Sequence, residues 1–358
     1  MYSRPCDDAE VPLRIGLLAP PWVPVPPPAY GGTESVIDQL ARGLTAAGHH
    51  VILYTTGDST AAVPIAHSLP TAAFDRIGAG DIELSHVMHG YEALASCDVV
   101  HDHTLLGPAW ALAVGHDCVV TTCHGPFDGQ LRDIYRRYGE RLPVVAISRN
   151  QAARAPEIRI DRVIHHGVDP DQFPIGRGNG GYLLFLGRMA ADKGVREAAL
   201  VARAAGHRLL IAVKMREPRE HAYFTDQVKP LLGDGVDLVG EITNGDKLAL
   251  LGGATALLNP IRWPEPFGLV MTEALACGTP VITCPIGAAP EIVDDGVTGF
   301  LRGNHDALVD AVGRIGELNR NACRAAVIRR FSTRKMVAEH LALYRDTLYP
   351  GWRPTAAA

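Results

Sequence analysis

No stretch of this sequence approaches the roughly 18 consecutive apolar residues that a membrane-spanning helix needs, so no integral membrane segment is expected. Contact with a membrane surface stays open, because that takes only an exposed apolar helix. Cysteine occurs seven times, an odd number with no C-x-x-C pair, which argues against a disulfide framework or a zinc site and for reduced thiols. A basic surplus is also missing. With 20% charged residues and a net charge of −5, neither a nucleic-acid partner nor a polybasic anchor is expected. The opening residues, MYSRPCDDAEVPLRIG, hold no apolar core of the kind secretion signals carry, and a cytoplasmic location is the expectation. No internal repeat or low-complexity tract occurs beyond the terminal alanines. Length is ample: 358 residues suffice for two domains, each with its own core.

The most informative stretch is Asn259 to Gly278, NPIRWPEPFGLVMTEALACG. Before it, Ala256 to Leu258 is a short apolar run of the kind parallel sheets bury. A loop with three prolines (Pro260, Pro264 and Pro266) follows, then a helix expected from about Phe267 to Cys277 and closed by Gly278. Strand, loop and helix make half of a βαβ unit, and such sheets bind ligands beyond the carboxyl ends of their strands. Gly268, Leu269 and Val270 would offer free N–H groups at the helix start, backed by the positive end of the helix dipole. That is an anion site, suited to phosphate. Yet Glu265 and Glu273 bracket it. Carboxylates beside a phosphate are tolerable where each holds something neutral, such as sugar hydroxyls. A ligand with hydroxyls at both ends and phosphate in the middle is a nucleotide sugar.

Set within PEPFGLVMTEALACGTPVI, the segment EPFGLVMTE resembles the E-x7-E element of the retaining glycosyltransferases of family 4, which share the GT-B fold of the glycogen-synthase-like superfamily. The resemblance runs from YGGTE to the last helix and is densest from 182 to 300. It implies an α/β protein of two Rossmann-like, doubly wound domains facing across a cleft. Residues 1–175 would bind the acceptor, 176–330 the nucleotide-sugar donor, and 331–358 would form a closing helix that returns to the first domain. It also implies that Glu265 holds the donor sugar and Glu273 the ribose. Pro266, Phe267, Gly268, Leu269 and Val270 would then meet sugar and phosphate.

From the start of the chain, LRIGLLA (Leu13 to Ala19) reads as a strand, and a helix is expected from about Glu34 to Ala47 with Thr33 as its cap. Gly31 and Gly32 stand where strand gives way to helix, so that bare backbone can approach a ligand. The resemblance places them at the donor diphosphate. The proline-rich loop from Pro20 to Pro28 is long for an idle connection and should border the cleft. After the strand His50 to Thr55, a polar and alanine-rich segment gives no clear reading. Cys97 to His101 is another strand, running into His101, Asp102 and His103. Neighbours on a strand point to opposite faces, so the three cannot readily grip one ion, and loop hydrogen bonding or acceptor contact is favoured. Val119 to His124, then Gly125, Pro126 and Phe127, resembles the family's T-x-H-G motif, which puts His124 beside the reacting centre. His101, His103 and Phe127 are the acceptor-side candidates, next to an Arg- and Tyr-rich helix near Gln130 to Tyr138.

Ser148 is placed to cap a short helix, and Arg162 to His166 should close the first sheet. Asp169 and Asp171 spell D-x-D, a metal motif of the other large glycosyltransferase fold, but Gly167 and Pro170 make this a turn. GRGNGG, Gly176 to Gly181, precedes a strand instead of following one and so is no dinucleotide fingerprint. By composition it is a flexible interdomain linker. Beyond it, Arg188 ends a core strand and Lys193 stands near the next helix start. Two cations there suit a diphosphate, Arg as a fork and Lys as a point charge. They resemble the family's G-R-x-x-x-x-K-G element, which neutralises the leaving group. After the strand Leu209 to Lys214, a further strand ends at Glu241, and Ile242 continues a loop that in the family meets the base by its backbone, which suits uracil. Ile286 to Glu291 resembles the family's G-G-x-x-E turn.

The implied reaction moves a hexose, glucose as first candidate, from a UDP-sugar to an acceptor hydroxyl with retention. His124, Glu265, Arg188 and Lys193 would carry it. No cofactor and no metal are expected, since fixed cations and a helix start stabilise the leaving diphosphate. No carboxylate nucleophile is evident, which favours front-face displacement, with domain closure excluding water. The rivals are a GT-B phosphorylase, a nucleotide-sugar epimerase and a non-catalytic nucleotide-sugar-binding protein. The acceptor is unassigned, and a homodimer is open.

Overall fold

Short apolar runs, most of them without alternation, dictate strands covered on both faces. The computed structural model describes residues 11–29 and 31–349, and there these runs build two parallel sheets. The first holds β1 Arg14–Leu18, β2 His50–Thr55, β3 Ile65–His67, β4 Val99–Asp102, β5 Val119–Cys123, β6 Val144–Ala146 and β7 Arg162–Val163, in the order β3-β2-β1-β4-β5-β6-β7. The second holds β8 Tyr182–Arg188, β9 Arg208–Lys214, β10 Val236–Gly240, β11 Ala256–Asn259, β12 Val281–Thr283 and β13 Gly299–Leu301, in the order β10-β9-β8-β11-β12-β13. In both, the order reverses at the first strand: β1 lies between β2 and β4, and β8 between β9 and β11. A crevice opens at such a reversal, beyond the carboxyl ends of the strands.

Helices cover both faces of each sheet. Ile15, Leu17, Val51, Leu53 and Val99 of the first sheet pack on one side with Ile37, Leu40 and Leu44 of the helix Gly32–Ala46. The same cluster takes in Met336, Val337, Leu341 and Tyr344 of the closing helix Thr333–Leu348. That helix does return to the first domain. Ser332 caps it by accepting from the Lys335 N–H, and Gly43 lets the two helices close up, since a Cβ there would lie 2.6 Å from Val337 Cγ2.

Two local expectations change, and the segment without a clear reading resolves. The helix Gly32–Ala46 begins two residues earlier than expected, with Gly31 in the cap position and no side-chain cap, so Thr33 lies inside its first turn. The unread segment contains β3 and a helix, Gly80–Ala93, whose inward face includes Glu83 and His86. Each is held by a specific partner: Glu83 accepts from the Leu105 N–H at 2.6 Å, and His86 Nε2 lies 2.9 Å from the Ala19 carbonyl.

The glycine-rich segment 176–181 is not a loose tether. Gly176, Gly178 and Gly180 donate their N–H groups to the carbonyls of Cys277, Gly252 and Gly253. The Arg320 guanidinium then binds the carbonyls of Gly176 at 2.8 Å, Ala254 at 3.0 Å, Gly252 at 3.1 Å and Cys277 at 3.3 Å, and Thr279 Oγ1 at 2.7 Å. Glycine here permits close backbone packing, which composition alone cannot separate from flexibility. Arg320→Leu removes all of these bonds at once, leaving the carbonyls of Gly252 and Cys277 only their backbone donors. It should lower the unfolding free energy in urea by about 3 kcal/mol, and a loss under about 1 kcal/mol would refute the pinning.

Candidate active site

A cavity lies between the two sheets at their carboxyl ends. Two helix starts face each other across it. On one side is the helix Gly32–Ala46, and on the other Leu269–Ala276, close enough that a Cβ on Gly32 would sit 3.4 Å from Leu269 Cδ1. First-turn N–H groups have no intrahelical acceptor, so two positive dipole ends converge on one space. The second helix begins two residues later than expected because Gly268 precedes it at φ 111°, in the left-handed region that glycine favours. The turn aims the backbone of Gly268, Leu269 and Val270 into the cavity.

Two ion pairs flank that start. The Lys193 ammonium bonds Glu265, the two side chains being 9% and 17% exposed. On the far side Lys247 Nζ bonds Glu273 Oε1 at 2.7 Å. Lys193 arrives there because Gly194, at φ 80°, lies against the Pro260 carbonyl, only 2.0 Å from where a Cβ would be. The Arg262 N–H donates to the Asp192 carbonyl at 2.9 Å and completes the brace between the two loops. Lys193 also stands over the Trp263 ring, 5.4 Å from its centre. Glu265 is fixed from behind, where its carbonyl accepts from the Ala288 N–H at 3.0 Å. Thus the turn from Ile286 braces the loop that carries the first glutamate.

Of the residues picked from sequence, Gly31, Gly32, His124, Lys193, Glu241, Ile242, Glu265, Pro266, Phe267, Gly268, Leu269, Val270 and Glu273 all line this one cavity. Four do not. Arg188 turns away, toward Glu220 at 3.4 Å and Asp192 at 3.7 Å. Glu220 is a buried carboxylate that also accepts from the backbone N–H groups of Arg216 and Glu217, and it attracts the guanidinium. His101 is fully buried under the closing helix, between Tyr344 Oη at 2.7 Å and Thr122 Oγ1 at 2.7 Å, and cannot meet an acceptor there. Phe127 is a core residue packed edge-on against Tyr135. His103 lies one layer behind the wall, its Nδ1 2.9 Å from His124 Nε2. Asp102 is likewise internal, accepting from the Tyr91 hydroxyl at 2.7 Å and from Thr104.

Sequence reading missed several wall residues. Lys214 ends β9, where a cavity-facing cation belongs, and lines the site with Lys247, Asn244, Asn259 and Trp263. His166 joins them and stacks on His124 at 5.2 Å between ring centres. Burial holds His124 down at about 3, so this imidazole is neutral at physiological pH. Glu34, in the first turn of its helix, is pushed up to about 7 by burial, against its own N–H and the charge of Lys214. Among the described residues no cluster of His, Cys, Asp and Glu could hold a metal ion, and Asp169 accepts from the Asp171 N–H in a turn.

A family model described as Glycosyltransferase Family 4 matches residues 30–172, and one described as Glycosyl transferases group 1 matches residues 180–317. The chain is a glycosyltransferase of the family 4, GT-B type. It is an enzyme of the hexosyltransferase class. The glycogen synthase of Mycobacterium tuberculosis is 29% identical to it over 328 residues, taking in 76% of this chain and 79% of its own length. The phosphatidyl-myo-inositol mannosyltransferase of Mycolicibacterium smegmatis is 28% identical over 361 residues, 90% of this chain and 89% of its own. Among solved structures, a glycosyltransferase involved in avilamycin A biosynthesis superposes with a TM-score of 0.75 at 27% identity, covering 96% of this chain and 100% of its own. HepE of Anabaena, solved with UDP-glucose, shares the fold with a TM-score of 0.72 at 17% identity, covering 92% and 100%. No helix among the described residues of the glycosyltransferase is long and apolar enough to cross a membrane.

The glycosyltransferase also carries a bond across its cleft. Glu291, of the second domain, accepts from the Arg149 N–H at 2.9 Å and the Asn150 N–H at 2.7 Å, at the start of the first-domain helix Arg149–Ala153 that Ser148 caps. His165 Nε2 lies 2.8 Å from the same carboxylate. Burial alone would raise this carboxyl, but the hydrogen bonds from His165 and the two N–H groups outweigh it and hold the carboxyl below its ordinary 4.5. Its contribution is therefore complete above that value and fades as pH falls through the depressed one. Glu291→Ala should cost about 1–2 kcal/mol in urea unfolding at pH 7. The gap to wild type should begin to narrow as pH falls below 4.5 and close once pH has passed the depressed value, and a gap of unchanged size throughout the acid range would disprove the assignment.

Proposed function

We propose that this glycosyltransferase moves a hexose from a UDP-sugar, glucose first among the candidates, to an acceptor hydroxyl with retention and without a metal. The observation that carries the reading is the helix start at Gly268 set between the Lys193–Glu265 and Lys247–Glu273 pairs. It offers an anion site in the middle and a hydroxyl-binding carboxylate at each end. Glu273 would take the ribose and Glu265 the sugar, and the diphosphate would lie over the first-turn N–H groups. The backbone around Glu241 and Ile242, which also lines the cavity, would meet uracil. The UDP-glucose held by HepE supports the donor reading, and the mannosyltransferase among the relatives supports a hexose.

In the reaction the acceptor oxygen bonds the anomeric carbon, and the bond from that carbon to the phosphate oxygen breaks with its electron pair going to UDP. The acceptor proton passes to that phosphate oxygen on the same face, which gives retention. Charge builds on the diphosphate, and preorganised donors aimed there supply the stabilisation. These are the N–H groups of both helix starts together with Lys193 and Lys214. Fixed cations do what a metal ion does in other transferases. Arg188 joins them on swinging away from its long contacts to Glu220 and Asp192. Neutral His124 serves as a hydrogen-bonding group at the sugar.

Calorimetric titration with UDP, UDP-glucose, GDP-mannose and ADP-glucose in EDTA tests the reading. Micromolar affinity for UDP and UDP-glucose is expected, reduced roughly 10- to 100-fold in Lys193→Ala as a charge-assisted contact is lost. Binding to none of the four, or only with added Mn²⁺, would overturn the assignment. An α-linked product by NMR would support retention, whereas exchange of label between donor and free phosphate would indicate a phosphorylase.

A further inference from the structure

Behind the cavity wall lies a group of imidazoles that the mechanism above does not use. His101, His103 and His340 are buried, with ring centres 4.1 Å apart between His101 and His103 and 5.1 Å between His101 and His340. One contact leads out of the group to the site: His103 Nδ1 and His124 Nε2 are 2.9 Å apart. The other two nitrogens of that pair, His103 Nε2 and His124 Nδ1, are buried without a partner among the described residues. We propose that His103 is a positioning residue that donates its Nδ1–H to His124 Nε2, and so fixes His124 as the tautomer that donates from Nδ1 to an oxygen of the bound ligand.

A neutral imidazole has one N–H, so two rings sharing one hydrogen bond have two arrangements. If His124 donated from Nε2, His103 would carry its own proton on Nε2. That proton would be buried behind the wall, where no ligand reaches, since His103 does not line the cavity. An orphaned buried N–H is among the rarest features of native proteins. If instead His103 donates from Nδ1, its Nε2 is a bare lone pair, and the remaining proton sits on His124 Nδ1. His124 lines the cavity and His103 does not, so a small turn of the His124 ring brings its buried Nδ1–H to a cleft water or to the hydroxyl or phosphate oxygen that replaces it, an outlet that His103 Nε2 lacks. Only this arrangement uses both N–H groups once ligand is bound. Stacking of His166 on His124 holds the ring plane without competing for either nitrogen.

The inference rests on the donor reading for what His124 meets, but its test does not. Long-range proton–nitrogen correlation on His-labelled protein, with His124 identified by its loss in His124→Gln, should show Nδ1–H at His124 in the unliganded wild type. Nε2–H there would overturn the proposal without any further variant. In His103→Leu the Nδ1–H form should lose its dominance, while His103→Asn, whose amide can stand at the Nδ1 position, should keep it. An unchanged tautomer in His103→Leu would also overturn the proposal. With activity in hand, kcat should fall on the order of 10- to 100-fold in His103→Leu and recover in His103→Asn. UDP affinity should stay within about threefold, as expected for a group acting beside the sugar and away from the nucleotide. A wild type that binds no UDP would defeat the donor reading alone.

Discussion

The arrangement of the cleft depends on keeping carboxylates next to an anion site. Glu265 and Glu273 sit beside a helix start meant for negative charge, and alone they would repel what that start attracts. Each is neutralised by a lysine from elsewhere in the chain, Lys193 from the loop after β8 and Lys247 from the helix Asn244–Gly253. Partly buried charges hold together only when paired, because removing one partner leaves the other desolvated and unmatched. The pairing therefore fixes the loops as much as it sets the charge. Gly194 against Pro260, the Arg262–Asp192 hydrogen bond and the turn behind Glu265 can all be understood as bracing for the Lys193–Glu265 contact.

The first domain contributes less charge and more shape. Its wall is the Gly31–Gly32 backbone with His124 and His166, and behind it lies an imidazole layer that burial keeps neutral, with His101 and His103 held well below the ordinary range and His340 at about 4. Neutral rings next to the site avoid adding positive charge where an oxocarbenium-like sugar would form. The closing helix completes this layer, since it brings His340 and Tyr344 under β4. A segment that looks like a mere tail in the chain order thus supports the layer behind the first-domain wall of the cavity.

Much of this could be read from the chain. Strands buried on both faces announce themselves as apolar runs, and the E-x7-E, G-R-x-x-x-x-K-G and T-x-H-G elements marked the cavity because its residues come from strand ends, where sequence and position are tightly coupled. The failures share a physical cause. Lys214 and Lys247 belong to no short pattern, and their place is set by the tertiary fold. The helix Gly80–Ala93 escaped notice because its buried face is partly polar, with Glu83 and His86 matched to distant backbone groups. Arg188 and Phe127 were rightly placed along the chain but wrongly aimed. A rotamer is decided by neighbours such as Glu220 and Tyr135 that spacing does not disclose.

The pinned glycine segment has a consequence for motion. Because residues 176–180 are fastened to the second domain, the pivot between domains cannot lie in them. It falls on the two places where the chain passes from one domain to the other, near Val168 and near Ser332. These run side by side: the Val168 N–H donates to Phe331 and the Thr333 N–H to Val168, at 2.9 and 3.0 Å. Two crossings laced together form a door hinge and not a ball joint. Opening would follow a single axis along that ladder, so each closure returns the two helix starts to the same register.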